Sequence, residues 1–61
     1  MKLEDYVLNM KADQHTLVVI GSRQVWIFTE NDYIPCDMYY FDVIEINEGM
    51  NGVCAVKVIE N

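Results

Sequence analysis

Residues 16–29, TLVVIGSRQVWIFT, constrain this chain more than any other stretch. Two apolar runs flank a polar break at Gly21, Ser22, Arg23 and Gln24. Val18, Val19, Ile20, Val25, Ile27 and Thr29 are β-branched, and Trp26 and Phe28 are aromatic. Such side chains fit a pleated, half-buried surface better than a helix. With residues 21–24 as the loop of a hairpin, Ile20 faces Val25 and Val18 faces Ile27 on one side of the ribbon. On the other side Val19 meets Trp26 and Leu17 meets Phe28. A tighter turn on Gly21-Ser22 has the same parity and leaves both faces unchanged. Both faces are largely apolar, and a ribbon of that kind needs cover on both. The rest of the chain covers one; barrel closure or a second subunit covers the other. The expected subunit interface is Val19, Trp26 and Phe28.

Size sharpens that expectation. The 61 residues make one small domain. A chain of this length buries only about 60% of its unfolded surface, so it is marginal without a disulfide, a metal or a partner subunit. Hydrophobic residues nevertheless make up 52% of it, more than one small core readily hides, which points to a homo-oligomer. Ten acidic residues against four basic ones give a net charge of -6. That balance argues against direct nucleic-acid or anionic-membrane binding, both of which need Lys and Arg. It suits a partner protein with a basic surface, or serves solubility alone. No apolar run approaches the ~18–20 residues of a membrane span. The first residues, MKLED, lack a signal peptide's apolar core, so the expected location is cytoplasmic.

Along the chain, residues 1–11 carry two competing patterns. Leu3, Tyr6, Val7 and Met10 form the stripe of an amphipathic helix, whereas Tyr6, Leu8 and Met10 alternate as in a strand. The alternation favours a strand over residues 5–11, paired with residues 16–20; a helix lying across the sheet is the rival. Pro35 excludes a helix or a central strand around residues 30–37. Residues 38–46 read as one long strand and 53–60 as the last. A three-residue loop of Met50, Asn51 and Gly52 places Gly52 in a left-handed bulge position. Ile46 then faces Val56, Glu45 faces Lys57, Ile44 faces Val58 and Val43 faces Ile59, with Cys54 opposite Glu48. Cys36 lies roughly 40 Å of extended strand from Cys54, too far for a disulfide, which needs Cα atoms within ~7 Å. Both cysteines read as buried free thiols. The sum is an all-β fold, with or without one short N-terminal helix: a small antiparallel meander of four or five strands, or a half-open barrel.

Catalytic chemistry finds little material. Nucleophilic catalysis needs a nucleophile, a base and an orienting group. His15 and Ser22 are the single members of their kinds and show no pairing, so His15 reads as a turn residue. Glu30, Asp32 and Asp37 sit close enough in sequence to suggest a cation site, but their spacing matches no calcium loop and a solvated acidic loop is favoured. Neither a metal nor a cofactor is expected, and the chain reads as a non-enzyme. What stands out is surface character. Tyr33, Tyr39 and Tyr40 are interleaved with Glu30, Asp32, Asp37 and Asp42. Tyrosines framed by carboxylates suit a protein-binding patch; the competing reading is that strand alternation sends most of the aromatics into the core. The expected function is a small acidic protein-binding module, an inhibitor or adaptor of another protein. By analogy with short acidic products of phages and mobile elements, its target would be a nucleic-acid-handling or defence enzyme. A homo-oligomer binding a small molecule at subunit junctions and a structural subunit of a larger assembly are the alternatives.

Overall fold

The computed structural model describes residues 1–49 and 51–60. The chain forms a helix α1 (Leu3–Leu8), strands β1 (Thr16–Ile20) and β2 (Val25–Thr29), a short 3₁₀ helix (Cys36–Tyr40), and strands β3 (Asp42–Glu48) and β4 (Val53–Ile59). The all-β fold with one short N-terminal helix is as expected from the sequence. The four strands make a single open sheet in the order β2-β1-β4-β3, and it does not close into a barrel.

The β1–β2 hairpin has the anticipated register: Ile20 opposite Val25, Val19 opposite Trp26, Val18 opposite Ile27 and Leu17 opposite Phe28. Gly21 N–H donates to the Gln24 carbonyl at 2.9 Å and closes the loop. The other edge of β1 is taken by β4, in parallel, with Leu17 beside Cys54 and Val19 beside Val56. The sheet is therefore mixed rather than an all-antiparallel meander.

Residues 5–11 do not form the strand expected beside β1; the helical stripe prevails. Leu3 and Tyr6 are buried while Leu8 is 76% exposed, which is what a 3.6-residue period dictates and a two-residue period forbids. Glu4 and Asp5 lie in the first turn, where carboxylates suit the positive end of the helix. Asp5 also accepts the Lys2 backbone N–H at 3.4 Å. The helix is anchored at the far end of the sheet: Val43 N–H donates to the Met1 carbonyl at 2.8 Å, and Leu3 N–H to the Phe41 carbonyl at 2.9 Å. Lys2 forms an ion pair with Asp42 at 2.8 Å, which gives Asp42 a partner not foreseen from the sequence.

The long strand expected over residues 38–46 starts later, at Asp42. Contrary to the exclusion of helix expected around residues 30–37, a 3₁₀ helix starts at Cys36. Pro35 precedes it, where a fixed φ and a missing N–H cost nothing, and its carbonyl accepts Met38 N–H at 3.0 Å. This coil turns Met38 into the core at 3% exposure and brings Phe41 in beside it. Near the loop the β3–β4 register is as expected: Ile46 faces Val56, Glu45 faces Lys57 and Glu48 faces Cys54. A bulge at Ile44 then shifts it by one, so Val43 faces Val58 and Asp42 faces Ile59. The shift keeps Val43 on the inner face and expels Ile44, which is 61% exposed. Gly52 has the expected positive φ of 77°; Met50, its neighbour in the anticipated loop, lies outside the described residues. Both cysteines are free, Cys54 buried as expected and Cys36 exposed, because Cys36 begins the 3₁₀ helix instead of entering a strand.

The core lies on one side of the sheet only. Leu17, Val19, Cys54, Val56 and Val58 point toward Leu3, Tyr6, Met38 and Phe41. Full burial of each Val or Leu contributes about 1.5–3 kcal/mol. Val19 is fully buried here, and Trp26 and Phe28 pack partly against the same core. The expected interface of Val19, Trp26 and Phe28 therefore sits on the face that the chain covers with its own helices. The opposite face carries Val25, Ile27, Ile44, Val53 and Ile59 exposed, with Val18 and Ile20 half-buried.

Gly52 ties the N-terminal segment to β4. Its carbonyl accepts both His15 N–H at 2.8 Å and Thr16 N–H at 3.2 Å, and a Cβ added there meets the Asp13 carbonyl and the His15 ring. At Gly21 an added Cβ meets side chains only, the carboxylate end of Glu60 and the Trp26 ring, and the φ is not left-handed. Gly52→Ala is expected to cost about 1–3 kcal/mol of unfolding free energy, measured by denaturant titration, and Gly21→Ala clearly less. Equal losses would contradict this reading of the loop.

Candidate functional site

The segment from β2 to β3 exposes Glu30, Asp32, Tyr33, Asp37 and Tyr40, and its shape follows from two local devices. At its start, Thr29 and Asp32 lock a turn. Asp32 N–H donates to the Thr29 carbonyl at 3.0 Å, and Asp32 Oδ2 accepts the Thr29 backbone N–H at 2.8 Å and its hydroxyl at 3.0 Å. These bonds to the charged form, the backbone one first, hold the Asp32 carboxyl below its ordinary range. At its end, Pro35 and the 3₁₀ helix turn the chain back over the core. Ile34 packs inward between them, and Tyr33 is thrown outward at 96% exposure.

The expected binding residues are dispersed by this path. Glu30, Asp32, Tyr33 and Asp37 are all exposed, and Tyr40 is 64% exposed, whereas Tyr39 is half-buried. Asp42 lies at the start of β3, against Lys2, apart from the loop. The aromatic cluster thus divides: Phe41 joins the core, and Tyr33 and Tyr40 face solvent. Among the described residues no three of His, Cys, Asp and Glu converge as a metal site, so Glu30, Asp32 and Asp37 form no cation cup.

Two shallow depressions flank the loop. One, of about 180 Å³, has an apolar floor of Val7, Met10, Phe28 and Ile34, with Glu30 and Asp32 on its rim. The other, of about 300 Å³, is walled by Trp26, Pro35 and Phe41, with Asp37 and Glu60 at its edge. The Trp26 and Phe41 rings meet at 5.9 Å with planes tilted by 48°, which fixes the Trp26 ring in that wall. Glu60 Oε2 is held by the Ser22 backbone N–H at 3.2 Å.

Electrostatically the loop is one-sided. Between Arg23 and Lys57 the sequence has no basic residue, while Glu30, Asp32, Asp37, Asp42, Glu45 and Glu48 all fall there. Lys2, Lys11 and Lys57 pair with Asp42, Glu48 and Glu45. Among the described residues no ion pair reaches Glu30, Asp32 or Asp37. That charge gap is legible in the sequence as a run without cations.

Sequence reasoning missed the device that holds the helix side of this surface. Tyr6 is buried, and its hydroxyl donates to Glu48 Oε2 at 3.3 Å. Gln14 Nε2 donates to the same oxygen at 3.1 Å. The pairing fixes α1, and with it Val7 and Met10, against the end of β3. Burial, first, and then the neighbouring Cys54 thiol and Glu48 carboxylate push the Tyr6 phenol above its ordinary value. His15, expected as a turn residue, is exposed and bridges Thr16 Oγ1 at 2.8 Å and the Asn51 carbonyl at 3.0 Å. A carbonyl only accepts, so Nε2 donates to Asn51.

Comparison with protein-family models, with curated proteins and with solved structures returns no match to this chain. Among the described residues no helix is long and apolar enough to cross a membrane.

The raised Tyr6 pKa has a definite sign. Its contribution to stability is complete below the ordinary tyrosine value of about 10 and is lost as pH climbs through the folded-state value. Unfolding free energy measured against pH should therefore fall on the alkaline side in the wild type and less steeply in Tyr6→Phe. At neutral pH the variant should lose about 0.5–1.5 kcal/mol with its hydrogen bond. Identical alkaline slopes would contradict the assignment.

Proposed function

We propose that this chain is a non-catalytic protein-binding module that offers the surface around residues 30–37 to a partner with a basic surface. The observation that carries the reading is Tyr33, 96% exposed at the crest of a stretch that holds carboxylates and no cation. A tyrosine so exposed adds nothing to the core, yet it provides a large contact surface with few rotatable bonds. One depression beside it has an apolar floor and an acidic rim; the other, though walled by Trp26, Pro35 and Phe41, is mainly polar, with Asp37 and Glu60 at its edge. A Lys or Arg side chain suits the first, its stem against the floor and its charge at the rim. In the narrower form of the proposal the carboxylates stand in for a phosphate track and occupy the basic groove of a nucleic-acid-handling protein, so that the chain acts as an inhibitor. The same acidity that draws such a partner disfavours direct contact with nucleic acid.

Affinity capture with the whole chain as bait tests this. Wild type should retain a basic partner that is lost steeply as salt rises, since exposed charges are screened within about 10 Å at 0.1 M salt. Tyr33→Ala and Asp37→Asn, both at exposed positions, should each weaken capture at least tenfold without altering stability. The same partner set on wild type and both variants would refute the assignment of the surface.

A further inference from the structure

The inner face of the sheet is sealed by α1 and the 3₁₀ helix; no described segment crosses the outer face. The register places Val18, Ile20, Val25, Ile27, Ala55 and Ile59 together on that face. Ile27 is 64% exposed, Val25 56% and Ile59 52%. The bulge adds Ile44, which borders a hollow of about 370 Å³ with Ile20, Lys57 and Ile59.

We infer that the occupant of this face is a second copy of the chain, stacked sheet to sheet as the two layers of a β-sandwich. Three observations select that occupant, independently of the loop surface proposed above. The first is composition. The patch is dominated by β-branched aliphatics, with Ala55, Asn47 and the Lys57–Glu45 pair among them and Met1 at its border beside Ile44. Among the described residues it holds no aromatic and no Arg, and so leans toward the aliphatic make-up of homodimer interfaces. The second is charge. Each chain carries -6, but the charged side chains on the strands of this face lie in ion pairs, Lys57 with Glu45 at 3.8 Å and Asp42 with Lys2 at 2.8 Å. Two such faces meet without opposing net charge, whereas a basic partner finds nothing here to recognise. The third is area. Strands ~4.8 Å apart rising ~3.4 Å per residue give a four-strand, five-residue face with a footprint of about 330 Å², which side-chain relief enlarges. Two copies then bury less than about 1,200 Å², the size of a weak, reversible pair rather than of a permanent one. Sheets pack face to face at ~10 Å, a spacing that Val and Ile fill without rearrangement.

Sedimentation equilibrium on the full chain, from roughly 1 to 100 µM, reads the outcome. Wild type should be a dimer in the upper part of that range. Ile27→Lys and Ile59→Lys each alter an exposed side chain on the face, and each should raise the dissociation constant at least a hundredfold while circular dichroism stays that of the wild type. Leu8→Lys, on the exposed side of the helix, should leave it unchanged. A monomeric wild type throughout overturns the inference, as does a monomer that retains a small molecule in native mass spectrometry. A dimer that resists both substitutions overturns it too. Loss with Ile27→Lys but not with Ile59→Lys also overturns it, because that pattern belongs to edge-to-edge pairing through β2.

Discussion

The parallel contact between β1 and β4 is what the rest of this molecule depends on. Val19 and Val56 lie side by side at its middle, both with no exposed surface. Each hairpin by itself is a two-stranded ribbon, a structure at best marginal in water. Joined along β1 and β4 they become a four-stranded sheet with a continuous inner surface, wide enough for α1 and the 3₁₀ helix to bury Leu3, Tyr6, Met38 and Phe41 against it. The helix does not hold itself together. It spans six residues, well short of the ~12–15 at which isolated helices become even marginal. Its stability is that of Leu3 and Tyr6 in the core and of its main-chain bonds to Phe41 and Val43.

This arrangement makes the molecule two-sided. Because both helices lie on one face, the aliphatic residues Val25, Ile27, Ile44, Val53 and Ile59 of the other remain bare. The turn between β2 and β3 carries the exposed Tyr33 with Glu30, Asp32 and Asp37, which join no ion pair among the described residues. One sheet thus separates a mainly aliphatic surface, whose charges are paired, from an acidic, aromatic one.

How much of this was legible depended on distance along the chain. The β1–β2 register followed from local parity and from a polar loop that admitted few alternatives. Gly52 and the Glu45–Lys57 pairing were read correctly for the same reason: a short turn fixes its neighbours. The bulge at Ile44 was not legible, since it answers to the need to turn Val43 inward beneath a helix whose position lies far away in sequence. Residues 38–41 misled because their aromatics favour strands in general; the turn bonded to the Pro35 carbonyl and the burial of Met38 decided otherwise. The helix was present as a period in Leu3, Tyr6, Val7 and Met10, but choosing it over alternation required knowing that β4 already occupies the free edge of β1. That parallel pairing joins residues more than thirty positions apart and leaves no local signature. The same blindness put the subunit interface on Val19, Trp26 and Phe28: both faces of the ribbon were visibly apolar, and only the helix distinguishes them. Tyr33 and its neighbouring carboxylates were legible as a group, whereas Asp42 was drawn away by Lys2 and Tyr39 by partial burial.

Residue-resolved amide hydrogen exchange of the whole chain tests the central pairing most directly. Flanked on both sides by hydrogen-bonded strands, the amides of β1 and β4 should exchange slowest, through global unfolding only, and the outward-pointing amides of edge strand β2 should exchange by local opening many times faster. Amides of Thr16–Ile20 that face β4 exchanging as quickly as the free edge of β2 would contradict the account, because β1 would then be an edge as well.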